Sequence, residues 1–205
     1  MQTINSAIAE ALKCREITPM SKTSSDGWKP TLDAYCPILA TARDAAGRFI
    51  ADMAAGAKPY WLALLGHPGT GKTFIAKQVY EQAKQFNPGN PSLWLGPGPR
   101  PCSIWIDATK FGQQMMDGRY DLPESLAPDW IVAIDDLGAQ RDKTDFIADG
   151  MYRLCNARLG KWTLWTANLS LAEISARVDA RVASRLVRDE NKVITLNCAD
   201  YALRA

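Results

Sequence analysis

The 205-residue chain lacks any apolar run fit to cross a bilayer: Trp61 to Leu65 and Trp130 to Ile134 fall far short of the roughly 20 residues required. No membrane association is expected. The first thirteen residues carry Glu10 and lack a basic start, an apolar stretch and a small-residue cleavage site, so no secretory leader is expected and the protein is placed in the cytoplasm. Paired cysteines are missing too. The five, at 14, 36, 102, 155 and 198, form an odd set with no C-x-x-C, which argues against a disulfide framework or a zinc module and reads as reduced, mostly core thiols. Excess charge is also absent. Against 22 Asp plus Glu stand 24 Lys plus Arg, a net +2 that excludes nucleic-acid binding driven by bulk charge, though not a local basic patch. The average conceals an asymmetry: residues 141–205 hold 11 positive and 8 negative groups, including eight of the 13 arginines. Planar guanidinium groups gathered there suit phosphate or carboxylate across an interface.

What is present is an ordinary globular composition, 47% hydrophobic and 22% charged, in a chain long enough for one α/β domain with a short appendage. Ile4, Ile8 and Leu12 suggest a short helix in an N-terminal arm, residues 1–36. The main domain, 37–205, opens on a helix with Pro37 in its first turn and apolar positions through Met53, stopped by Gly56. From Trp61 the pattern reads strand, glycine-rich turn, helix to about Phe86, then a strand at Ser103 to Asp107. Residues 87–101, rich in proline and glycine, form a loop. Further strands are expected at Trp130–Ile134, Trp162–Thr166 and Lys192–Leu196, separated by helices at about Ala108–Met116, Thr144–Leu159 and Asp179–Arg188. Ser170 with Glu173 forms a capping box before another helix. The alternation gives a parallel sheet covered by helices. The seven tryptophans read as core and loop anchors rather than a platform for bases.

Gly66-His67-Pro68-Gly69-Thr70-Gly71-Lys72-Thr73 fits G-x-x-x-x-G-K-[ST] between a strand and a helix. Its backbone N–H groups and the helix N-terminus suit a polyphosphate, with Phe74 included in the candidate nucleotide contact. Lys72 would reach the β- and γ-phosphates, and the Thr73 hydroxyl would bind Mg²⁺. Asp135 and Asp136 end the third strand, where an open α/β sheet presents ligand-binding groups. Asp135 is the expected magnesium partner, and Asp136 is left to orient or deprotonate the attacking water. Asn168, after the fourth strand, would hold that water or sense the γ-phosphate, or else serve as a turn residue. Arg177, Arg181, Arg185 and Arg188 share one face if a helix runs through them, and a break near Asp179 would detach Arg177. That face is either simply solvated or the source of an arginine that reaches a neighbouring subunit's ATP.

Together, the phosphate loop, Ile134-Asp135-Asp136-Leu137-Gly138, Thr166-Ala167-Asn168-Leu169-Ser170 and Asp179 to Leu186 resemble the AAA+ ATPases of the DnaC and IstB group, bacterial and phage helicase loaders with transposition ATPases as relatives. The resemblance covers about residues 37–197. It implies a P-loop NTPase fold of AAA+ type: a three-layer sandwich around a central five-stranded parallel sheet, without a C-terminal lid domain. It implies ATP and Mg²⁺ as cofactors, self-association through ATP, single-stranded DNA, and a hexameric replicative helicase as partner. Asn168 looks like sensor 1 and Arg185 like the trans-acting arginine finger, with Arg181 in reserve. The adenine pocket is expected around Tyr35 to Ile38. Asp136 stands where many such proteins have Glu, which predicts slow hydrolysis. Between the second and third strands there is room for little beyond one helix. An IstB-like transposition helper, a P-loop kinase and a weakly active nucleotide-dependent adaptor are the alternatives.

Overall fold

A computed structural model describes residues 37–87, 102–139 and 145–198. The N-terminal arm, the proline-rich loop, and Tyr35 and Cys36 of the expected adenine pocket lie outside the described residues. The first helix, α1 (Pro37–Ala54), buries Leu39, Ala42, Ala46, Phe49, Ile50 and Met53, a spacing of three, four and one that keeps one face inward. Strand β1 (Trp61–Gly66) is buried along its whole length, as a central parallel strand must be. Helix α2 (Lys72–Ala83) follows and ends in a 3₁₀ turn, Lys84–Phe86. Strand β2 (Ser103–Asp107) leads into α3 (Ala108–Met116), whose N-terminus is capped by the Asp107 carboxylate, accepting from the Thr109 and Lys110 N–H groups. A four-residue helix, α4 (Leu122–Ser125), is the only further helix before β3 (Ile131–Asp135) among the described residues, in keeping with the little room expected there.

The remaining elements are α5 (Phe146–Ala157), β4 (Trp162–Ala167), α6 (Leu171–Arg177), α7 (Ala180–Leu186) and β5 (Lys192–Leu196). The Ser170–Glu173 capping box forms as expected. The helix expected over Asp179–Arg188 stops at Leu186, and α6 and α7 are separate. Arg177 therefore leaves the arginine face and Arg188 lies past the helix, so a single face of four arginines does not exist. Only Arg181 and Arg185 share it.

All five strands are parallel, in the order β2-β3-β4-β1-β5. Alternate residues feed two cores. Leu62, Leu64, Ala133 and Leu164 point toward α1 and α2, whereas Ala63, Leu65, Val132, Ile134 and Trp165 point toward α3 to α7. The result is the three-layer sandwich expected of the AAA+ fold. It sets β1 beside β4, so the ends of β1, β4 and β3 lie side by side along one rim. Trp61, Trp162 and Trp165 are buried, and Trp105 and Trp130 pack against the core, as anchors should. Among the described cysteines, Cys155 is a buried thiol and Cys102 is exposed. Cys198 is disulfide-bonded, which corrects the reading of all five as reduced.

At the opposite rim sits one of the eight arginines of residues 141–205. Arg158, just past α5, is fully buried. Its guanidinium donates to the carbonyls of Leu126 (3.1 Å), Asp129 (2.7 Å) and Trp162 (2.6 Å) and to the Thr163 hydroxyl (3.2 Å). Its fork thereby ties the entries of β3 and β4 to the end of α5. Burial holds its pKa down to about 10, partly offset by the Asp129 carboxylate. Replacing it with a side chain of similar length but no donors strands those carbonyls in the dry interior. Arg158→Met should cost about 3 kcal/mol in urea unfolding, and a loss under about 1 kcal/mol would show that the cluster does not hold the strands.

Candidate functional site

The strand-to-helix turn after β1 is shaped by two glycines for different reasons. Gly66 has φ +125°, and a Cβ there would sit 2.3 Å from the Leu196 carbonyl oxygen, so its backbone is pressed against β5. Gly71 has φ +86°, with open space beside it, and opens α2 with no side-chain cap. The Gly71 N-cap thus offers no side chain to the start of the helix, an arrangement that suits an anion there. His67, Pro68 and Gly69 are exposed, while Thr70 and Lys72 are buried. The Lys72 ammonium donates to the His67 carbonyl and to the Thr70 hydroxyl (3.1 Å), whose own proton goes to the same carbonyl (2.9 Å). Burial lowers its pKa to about 8, opposed by the Asp136 and Asp135 carboxylates. Thr73 is half-buried, and Phe74, 40% exposed, lies on the outer side of α2.

Across the rim, the predicted acids stand beside this turn. Asp135 Oδ1 accepts from the Thr73 hydroxyl (3.0 Å) and from the Thr166 hydroxyl at the end of β4 (2.6 Å). The Thr166 oxygen in turn accepts the Asp136 N–H at 2.9 Å, and its carbonyl accepts the Leu137 N–H at 2.8 Å. Asp136 adopts φ +58°, a left-handed turn that Asp tolerates better than most residues and that swings its side chain off the strand axis. There the Asn168 amide donates to its carboxylate at 2.6 Å. Burial raises the Asp136 pKa, aided by Asp107 and Asp135, while Lys72 and the Asn168 hydrogen bond oppose the shift. Asn168 thus contacts the neighbouring acid, one step back from the water or phosphate expected of it. Thr166 was missed as a site residue. The signal was available: a hydroxyl at the end of an otherwise apolar, fully buried strand needs a polar partner.

The Thr73 hydroxyl and the Asp135 carboxylate, 3.0 Å apart beside the loop, are hard oxygen donors of the kind that suit Mg²⁺. The loop, Lys72, Thr73, Asp135, Asp136 and Asn168 lie together on one rim. The arginines do not join them. Arg185 donates to Asn156 (3.1 Å) and Arg181 to Asp179 (2.7 Å), both on the α5–α7 side of the molecule. Both arginines therefore have hydrogen-bond partners within their own chain.

A strand–glycine loop–helix turn beside a diacid strand, in the order β2-β3-β4-β1-β5, is the AAA+ type of P-loop fold. Among solved structures the chain is similar to the DnaC helicase loader, with 20% identity over 81% of this chain and 96% of that one and a TM-score of 0.59. It is also similar to DnaI, at 19% identity over 78% of this chain and 85% of that one, TM-score 0.57. A third similar structure, the replication initiator DnaA bound to AMPPCP and single-stranded DNA, gives 17% identity over 83% of this chain, TM-score 0.58, and the match spans about half of it, 51%. At these identities the likeness establishes the fold. No family model and no curated protein matches the sequence.

Two outcomes test the site. Thr166→Val removes the hydroxyl that steadies Asp135, and should weaken Mg·ATP binding about tenfold in calorimetry while leaving magnesium-free ATP binding unchanged. Because the Lys72 amine must be protonated to meet phosphate and its pKa is about 8, affinity should hold below pH 8 and fall more than tenfold by about pH 9.5. A flat pH profile would show that Lys72 does not carry the binding.

Proposed function

We propose that the protein binds and slowly hydrolyses ATP, self-associates through the bound nucleotide, and loads a hexameric replicative helicase onto single-stranded DNA. The observation that supports this most is the hydrogen-bonded chain from Thr73 through Asp135 and Thr166 to the Asp136 N–H, which ties the phosphate loop to the acid that would act on water. Likeness in fold to the DnaC helicase loader supports the loading step. Bound Mg²⁺ would neutralise charge on the phosphates. Thr73 and Asp135 would hold it. Lys72 would leave the His67 carbonyl for the phosphates, so that nucleotide binding replaces a contact internal to the loop. Asp136, oriented by Asn168, would accept the proton of the attacking water. Its raised pKa suits a base, and its short side chain, fixed by the left-handed turn, suits a slow one. Arg185 would reach the ATP of a neighbouring copy.

Light scattering should show assembly with a nonhydrolysable ATP analogue and single-stranded DNA, and a monomer without nucleotide. Arg185→Ala should lower turnover at least a hundredfold at concentrations where the wild type assembles, with ATP affinity unchanged. Unaltered turnover would remove the trans assignment. Phosphate should pass to water alone, and a phosphorylated small acceptor in a metabolite screen would favour a kinase instead.

A further inference from the structure

On α5, Asp149, Tyr152 and Asn156 are spaced three and four apart and form one stripe on the side that meets α7. Against it pack Arg181 and Arg185, four apart on α7, and the stripe treats them differently. Arg181 is neutralised: its guanidinium donates to both oxygens of Asp179 (2.7 to 3.1 Å), lies 3.5 Å from Asp149, and sits 4.2 Å from the Tyr152 ring centroid. Two carboxylates and an aromatic face compensate one cation. Among the described residues Arg185 meets only neutral groups: Nε donates to the Asn156 side-chain oxygen at 3.1 Å, and Nη2 to the Tyr152 hydroxyl at 3.5 Å, with the ring centroid 5.7 Å away. These contacts direct the side chain without cancelling its charge. Hydrogen bonds from Asn156 and Arg185 in turn hold the Tyr152 hydroxyl below its ordinary pKa. Of five guanidinium N–H donors, two are used, leaving a fixed, uncompensated fork.

We propose that Tyr152 and Asn156 are positioning residues that present Arg185, and not Arg181, to the polyphosphate held by a second copy of this chain. The inference rests on the trans-acting reading above and adds the device that selects between the two arginines. Asp149 and Asp179 withdraw one cation from competition, while an amide and a phenol hold the other at a set angle. An anion approaching this face meets a single oriented charge.

Complementation between two inactive chains tests it. An Arg185→Ala chain keeps its phosphate loop but lacks the donor arginine, and a Lys72→Ala chain keeps the arginine but lacks a working loop. Mixed, they should recover ATP hydrolysis. Adding Asn156→Asp to the Lys72→Ala chain sets a carboxylate against Arg185 and should cut the recovered rate about threefold, as should Asn156→Ala, which frees the side chain to wander. Asn156 is exposed, so both donors should melt at the temperature of their parent. A recovered rate indifferent to both changes would overturn this inference and leave the trans reading standing. No recovery with the unmodified pair would overturn the trans reading, and this inference with it. A rate loss that follows a fall in melting temperature would also count against it.

Discussion

Everything on the functional rim depends on one carboxylate oxygen. Asp135 Oδ1 accepts hydrogen bonds from Thr73 and Thr166, and so links the start of α2, the end of β3 and the end of β4. The oxygen is available to all three because β4 lies between β1 and β3 and is parallel to both. A one-residue slip of β4 would turn Thr166 to the opposite face and uncouple β4 from the acidic strand, leaving Asp135 Oδ1 held by Thr73 alone. Sheet register is therefore a condition of this geometry, and the two cores on either side of the sheet enforce it. Each residue of β1 and β3 has an assigned face, and moving it would expose large apolar side chains.

Most of this was legible in the sequence because the signals are local. The phosphate loop carries its own glycines, Lys72 and Thr73 in a fixed order. The unbroken apolar run before Asp135 announces a central strand. Ser170 and Glu173 mark a helix start by themselves. What escaped depends on distant partners. Thr166 becomes a site residue only when β4 is seated beside β3, and that neighbour lies thirty residues back in the chain. Arg158 looks like any other arginine of a basic stretch until the entries of β3 and β4 surround it. Of the two readings of the arginine spacing, the break near Asp179 holds, because Asp179 has extended φ and ψ and caps a new helix with its side chain, which detaches Arg177 from Arg181 and Arg185.

The two arginines of α7 illustrate how little charge arithmetic reveals about a surface. Both count as +1 in the sequence, and both are anchored to α5. One is embedded among carboxylates and contributes almost nothing to the field outside, while the other keeps its full charge among neutral partners. Three of the cations in residues 141–205 thus have different fates: Arg181 is neutralised, Arg185 is oriented and Arg158 is buried.

The buried cation has a consequence for how the chain assembles. The carbonyl shell around Arg158 is drawn from the approach to β3, the first residues of β4 and the end of α5, and it exists only when all three are in place. An intermediate that buries Arg158 with only two of these elements in place leaves a desolvated guanidinium with an incomplete shell, a cost absent from the unfolded chain, where water solvates the group. The residue thereby sharpens the folding transition of this half of the domain, and acts as a check that no half-built version of the rim above it persists.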